Sequence, residues 1–469
     1  MDPELIALMR VGDDSLDLRT VGMDVLGRVG GRGEAEVIVQ QGRSAVTRFA
    51  NSFIHQNVAD DWHRVRLKVV TDGRLATGTT NRLDAGSLDR LVEDTLLAAT
   101  YRPVDPDWPG LGQPEAWLTV DDDHYDKDTH FADPASRAEV VKAFVTAGQA
   151  GRGGDTGPDL EAAGFCSTDG WKTFFANTND HRAEGQASLA TIEAIHRTPP
   201  DEIGWRADGS GWQSSSRLGD LDGAAAGRIA AEKARAGANA VDLEPGVYEV
   251  VLEPAAVADI VGFLADGFDA KTYREGTSFV KAKKQQFDAE ISLWDDALDP
   301  RAIGMSFDAE GTPKSPVDLV LEGVSNALVH DRRTAAKAKV RSTGHAIEGG
   351  ETWGPVPSNL FLGEGDTSPA DLIASVRRGL LVTEFWYTRT LDPKTMVVTG
   401  LTRNGTFLIE DGVIVGAVKN LRFTQSYVEA LGPGNVLGVG DDPRLYGSNC
   451  VVPSLHLASW NFTGGASKA

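Results

Sequence analysis

At 469 residues, the chain exceeds what one hydrophobic core usually holds, so two domains are expected. Its 68 acidic against 46 basic residues give a net charge of −22, which argues against a nucleic-acid surface, since that needs a basic patch to displace counterions from phosphate. The two cysteines, Cys166 and Cys450, exclude a disulfide scaffold.

The N-terminus, Met1-Asp2-Pro3-Glu4, lacks the basic and apolar regions of a signal peptide, and no apolar run is long enough to span a bilayer. The expectation is a soluble cytoplasmic protein without membrane contact. Leu16 to Val29 reads as an amphipathic helix ended by Gly30-Gly31-Arg32-Gly33. Strands are expected at 35–40, 44–50 and 64–70, the last two alternating apolar and polar residues. Asp72-Gly73 is a hairpin turn, and a helix follows from Ser87 to Ala99. Gly110 to Asp133, rich in Gly, Pro and Asp, reads as an extended crossing segment, and Pro134 to Ala150 as a helix. A strand meander is expected from Asp159 to Arg197. Asp208-Gly209-Ser210-Gly211-Trp212 lacks the context of a nucleophile elbow and reads as a loop. Asp222 to Ala238 is an Ala-rich helix.

The domain boundary is placed near Asp242 to Pro245, giving units 1–242 and 243–469. Gly246 to Leu252 is a strand, and Ala255 to Phe268 has helical periodicity. The remainder is strand-rich, with a second Asp-Gly turn at Asp411-Gly412 and a helix from Pro369 to Arg378 capped by Ser368.

The helix at 255–268 is followed by Tyr273-Arg274-Glu275-Gly276-Thr277-Ser278-Phe279. This arrangement resembles the core of the TldD/PmbA metalloprotease family, where the helix carries HExxxH ahead of a Gly-Thr-Ser turn. Further likeness lies in Val65 to Asn81 (a strand, an Asp-Gly-Arg turn and a return strand), in Phe307-Asp308-Ala309-Glu310-Gly311-Thr312-Pro313, in Pro357-Ser358-Asn359, and in Leu408 to Val418. The resemblance implies an α+β fold: an N-terminal α/β domain with antiparallel strands and packed helices, and a C-terminal strand-rich domain carrying the helix.

Counting back from Gly276, the motif's first His, Glu and second His fall on Val261, Gly262 and Asp266. A zinc peptidase needs imidazole or thiolate ligands, an open position for water and a general base, and these three residues supply none of that set. The family's C-terminal cysteine ligand has a counterpart region around Cys450, but the context Gly447-Ser448-Asn449-Cys450 departs from it, so Cys450 reads as a small buried hydrophobe before a ligand. The resemblance is therefore to the TldE/PmbA-like subunit, a member of the family once described as a modulator of DNA gyrase. It implies no catalytic residue, no metal and no cofactor in this chain. It implies a peptide-cleaving chamber shared with a TldD-like HExxxH subunit in a heterodimer or larger heteromer, with Asp266, Arg274, Thr277 and Ser278 lining it for unfolded or modified peptides. A stand-alone homodimeric peptide-binding protein is the alternative. For the turn at 274–278, peptide binding and plain helix termination stand level. His345-Ala346-Ile347-Glu348 reads as a solvated loop, Asp121 to Asp126 with His130 as acidic surface, and Lys281-Ala282-Lys283-Lys284 as a solvated basic patch.

Overall fold

The computed structural model describes residues 16–116, 120–149, 160–202 and 204–465. The N-terminal stretch read for a signal peptide, Ala150 and Asp159 lie outside these. Among the described residues no helix is long and apolar enough to cross a membrane. The fold is mixed α+β, as expected, with three sheets among the described residues.

The first sheet comprises β1 (Glu34–Ala50), β2 (Phe53–Thr71), β3 (Arg74–Thr80), β4 (Glu161–Asn177), β5 (Arg182–Arg197) and β6 (Asp208–Ser215). They are ordered β3-β2-β1-β4-β5-β6, antiparallel throughout. Strands expected as short pieces prove longer: 35–40 and 44–50 form one strand. Asp72 and Gly73 both adopt positive φ, 50° and 70°, as a tight hairpin of matching twist requires. Helices α1 (Leu18–Val29) and α2 (Ala85–Thr100) bury Val25, Leu26, Val29, Leu88, Leu91 and Val92 on this sheet. Gly30, at φ 62°, ends α1 by returning its N–H to Leu26. The crossing segment is not wholly extended, for Asp121–His124 and Lys127–His130 each form a helical turn.

Helices α3 (Pro134–Gln149) and α4 (Gly223–Ala236) cover the β5–β6 end. The segment 208–212 is strand, not loop. Its glycines serve close packing: a Cβ at Gly209 would sit 2.2 Å from Ala230 O, and one at Gly211 2.3 Å from Ala226 O. Glycine here lets α4 lie directly on β6.

From β7 (Gly246–Leu252) onward the chain builds two further sheets. One contains β8 (Leu293–Asp295), β9 (Val317–Leu321), β10 (Val324–Ser325), β11 (Leu360–Leu362), β17 (Arg444–Tyr446) and β18 (Cys450–Val452), ordered β10-β9-β8-β11-β18-β17. The other contains β7, β12 (Arg378–Asp392), β13 (Val397–Glu410), β14 (Val413–Ala417), β15 (Leu421–Ser426), β16 (Val436–Val439) and β19 (Leu455–Gly465). Because β12 pairs with both β7 and β13, the ring β12-β7-β19-β15-β13 closes on itself. Closure removes the open edges of those strands. Trp460, Phe385, Phe423 and Tyr427 cluster within this unit. Helix α5 (Pro254–Ala265) shares one core with both sheets; α6 (Ala270–Glu275), α7 (Arg332–Ala338) and α8 (Pro369–Ser375) complete the C-terminal half.

Charged pairs tie the first sheet and its loops to the rest. Arg333 makes a bidentate pair with Asp105 (3.0 and 2.5 Å), Arg64 meets Glu348 at 2.6 Å, and Lys68 contacts both Glu36 (2.7 Å) and Glu351 (3.3 Å). Lys68 and Glu36 are buried, so these are pairs that cost much when one partner is lost.

Candidate functional site

Helix α5 begins with Pro254 at its first turn, where a missing N–H costs nothing. Its buried face is Ala256, Val257, Ile260, Val261 and Leu264. Val261 therefore points into the core. Gly262 and Asp266, one turn apart, are exposed, and a Cβ at Gly262 would meet no described atom within 4 Å. Asp266 reaches solvent, yet the surrounding protein desolvates its carboxyl and raises its pKa.

The turn after α5 is closed by its own hydrogen bonds. Asp269 caps α6 by accepting from Lys271 N (2.7 Å) and Thr272 N (3.1 Å), and Gly276 ends it at φ 71°. Thr277 Oγ1 donates to Thr272 O, and Ser278 Oγ donates to Gly267 O at 2.6 Å while accepting from Val280 N. Both hydroxyls are engaged locally, while Arg274 and Thr277 remain exposed. Cys450 opens β18 beside β11. It is 3% exposed, and burial pushes its thiol up to about 12. Val261 and Cys450 thus belong to the core, whereas Gly262, Asp266, Arg274 and Thr277 face outward.

The segment at 357–359 meets Asp295, and the one at 307–313 joins the same region through Ala346. Its Oδ1 meets His345 Nε2 at 2.9 Å; its Oδ2 accepts from Ser358 N (2.5 Å) and Asn359 N (2.7 Å). Burial alone would raise the Asp295 carboxyl, but the His345 hydrogen bond and charge hold it below the usual range. His345 is 1% exposed and also bonded to Thr343 Oγ1. It is not the solvated loop residue its sequence context suggests. Asp308 accepts from Glu310 N, Thr312 N and Ala346 N. Lys314 Nζ donates to Ser358 Oγ (2.5 Å) and Asn359 Oδ1 (3.2 Å), and burial lowers its pKa. Burial and the neighbouring Asp308 push Glu310 up to about 8. His124 and His130 are likewise buried, His124 between the carbonyls of Gly304 and Asp299, so that segment is not simply an acidic surface.

A cavity of about 570 Å³ opens where β4–β6 and α4 meet β7, β12, β13 and β17. Its apolar wall includes Phe165, Ile195, Ile229 and Leu381, with Trp212 stacked on Tyr446 at 4.4 Å. Its polar wall includes Glu193, Lys233, Glu253, Thr383, Glu384 and Asn404. Lys233 is held by Glu253 at 2.5 Å. Glu384 accepts from Asn404 Nδ2 (2.5 Å) and Ser210 Oγ (3.3 Å). Burial pushes Glu384 up to about 7, against the charge of Arg403, and burial also raises Glu193. The β12–β13 ladder bulges here, between Val382 and Glu384. Asn404 adopts φ 55° and Gly405 φ 132°, and a Cβ at 405 would lie 2.7 Å from Thr383 Oγ1. Bulges of this kind re-aim side chains next to binding sites. The sequence reading missed this wall; its one visible signal is Glu384, a single charge within Leu380-Leu381-Val382-Thr383-Glu384-Phe385-Trp386-Tyr387.

Among the described residues no group of three or more His, Cys, Asp or Glu side chains is placed to hold a metal ion. Residues 245–464 match the PmbA/TldA metallopeptidase C-terminal domain. A metalloprotease of Methanothermobacter thermautotrophicus is 28% identical over 226 residues, 47% of this chain and 48% of that one; the chain thus spans about half the length of that relative. TldE from Thermococcus kodakarensis superposes with a TM-score of 0.84 at 17% identity, covering 95% of this chain and 100% of that one. A Thermotoga maritima protein, described as a candidate modulator of a DNA gyrase, gives 0.82 at 18% identity, with 95% and 100% covered. At such identities the two structures establish the fold alone. Residues 245–464 thus resemble the PmbA/TldA metallopeptidase C-terminal domain in sequence, and the described chain shares the fold of these two structures.

Proposed function

We propose that this chain is a non-catalytic, TldE-like subunit of a metallopeptidase, pairing with an HExxxH-bearing homologue to enclose a chamber that cleaves unfolded or modified peptides. The carrying observation is the chemistry of three positions on α5 and just past its end. Val261 is buried and has no lone pair, Gly262 has no side chain, and Asp266 offers one carboxylate. The Cys450 thiol is buried and held protonated. These residues do not fit a zinc ion, which takes three protein ligands and a water in peptidase sites.

In this reading the outward face of α5 shapes the chamber wall. Gly262 leaves room there, Asp266 supplies negative charge, and Arg274 supplies positive charge beside the turn. Thr277 and Ser278 fix that turn and offer substrate mainly backbone groups. The division into units 1–242 and 243–469 belongs to the same proposal. Mixing the purified chain with an HExxxH homologue and measuring the mass of the complex tests the pairing. A stable heteromer is expected; homodimers of each chain that never exchange would contradict it and favour the stand-alone peptide binder.

A further inference from the structure

The cavity at the β12 bulge is lined by polar side chains that the protein leaves partly unpaired. Thr383 is 2% exposed and Asn404 8%. Among the described residues, Thr383 Oγ1 and Asn404 Oδ1 have no hydrogen-bond partner, and both residues line the cavity. A buried polar atom left unpaired is costly, on the order of 1–3 kcal/mol, so two on one wall mark a place where a ligand supplies the partners, and Asn404 Oδ1 takes only a donor. The charges point the same way. Lys233 is neutralised by Glu253, and Arg403 lies 4.0 Å over the Trp386 ring. Glu193 and Glu384 are left desolvated side by side on the wall. Trp212, paired with Glu193 across β5 and β6, and the aliphatic side chains complete the lining, and the volume of about 570 Å³ suits a small molecule.

We propose that this cavity binds a small compound with an apolar body and one primary ammonium group, the ammonium donating to Thr383 Oγ1, Asn404 Oδ1 and the Glu384 carboxylate. An ammonium has three donors and no acceptor, which suits the unpaired Asn404 Oδ1, the Thr383 hydroxyl and the Glu384 carboxylate; acidic side chains of the lining outnumber Lys233 and Arg444 five to two, so a carboxylate or phosphate would meet a net negative surface. The Trp212–Tyr446 stack forms the apolar side, and aromatic faces also attract cations. The proposal stands apart from the subunit assignment, since only the first turn of α5, Pro254 and Ala255, touches this cavity.

Glu384 is faced by Glu193 on β5, Ser210 on β6, Lys233 on α4, Arg403 and Asn404 on β13, and Tyr446 on β17. Ammonium binding favours its ionised form, so affinity should rise between pH 6 and pH 8 while the ligand stays charged. The test is calorimetric titration of the full chain with 2-phenylethylamine, and with 2-phenylethanol as the neutral isostere. Saturable binding of the amine, at least about tenfold tighter than the alcohol and tighter at pH 8 than at pH 6, is expected. Glu384→Gln should weaken the amine about tenfold and reduce the pH dependence to what Glu193 alone supplies. Thr383→Val, which preserves shape, should weaken it several-fold without lowering Tm. Equal affinity for amine and alcohol, no saturation by about 10 mM, or an unchanged Glu384→Gln titration would overturn the proposal.

Discussion

Two buried polar regions in the C-terminal half use similar groups to opposite ends. Around Asp295 each strong group is answered: His345, Ser358 N and Asn359 N share one carboxylate, and Lys314 reaches two side-chain oxygens. Around Glu384 the same residue types leave Thr383 Oγ1 and Asn404 Oδ1 unpaired beside a cavity. A satisfied network fixes where loops lie and is expensive to break. An unsatisfied one costs the free protein stability and is the better candidate for binding. Burial and charge alone would not separate the two regions; the pairing of individual atoms does.

The largest expected effect should come from the satisfied region. Asp295→Ala strands a buried histidine and two backbone N–H groups, and should cost about 3–5 kcal/mol, read as a lowered denaturation midpoint. A cost below about 1 kcal/mol would mean that the network is not structural. The second effect has the opposite sign. Glu384 is raised to about 7 in the fold from an unfolded value of about 4.3, so the folded state holds its proton more tightly. Stability should decline as pH rises from about 4.3 to 7, where the buried carboxyl is forced to ionise. Glu384→Gln should remove that decline, a relative gain of roughly 4 kcal/mol at pH 8 and none at pH 4. Identical pH–stability curves for the two proteins would contradict the assignment. The smallest effect is Thr383→Val. Exchanging an unpaired hydroxyl for a methyl should change stability by less than about 1 kcal/mol, in the stabilising direction; a loss of 2 kcal/mol or more would show that the hydroxyl has a partner in solution.

Local signals explain what the sequence made legible. The alternation at 64–70, the Asp72-Gly73 and Asp411-Gly412 turns, the Ser368 cap and the Ala-rich α4 all report on backbone geometry within a few residues. Glycine misled at 208–212, where it answers to a helix packed across the strand and not to a turn. His345 was misread because its partner, Asp295, lies 50 residues away. Thr383 and Asn404 were invisible because only the offset pairing of β12 and β13 brings them to one wall. The α5 positions were readable as chemistry, since no fold can give Val261 a lone pair. Their orientation, with Val261 inward and Gly262 and Asp266 outward, required the packing of α5 on both C-terminal sheets.

The most direct measurement is zinc content and peptide hydrolysis by the purified chain, alone and mixed with an HExxxH homologue. The account predicts neither stoichiometric zinc nor hydrolysis in the isolated chain, and both in the mixture. Stoichiometric zinc with hydrolysis in the isolated chain would contradict it, and would place the active site away from Val261, Gly262 and Asp266.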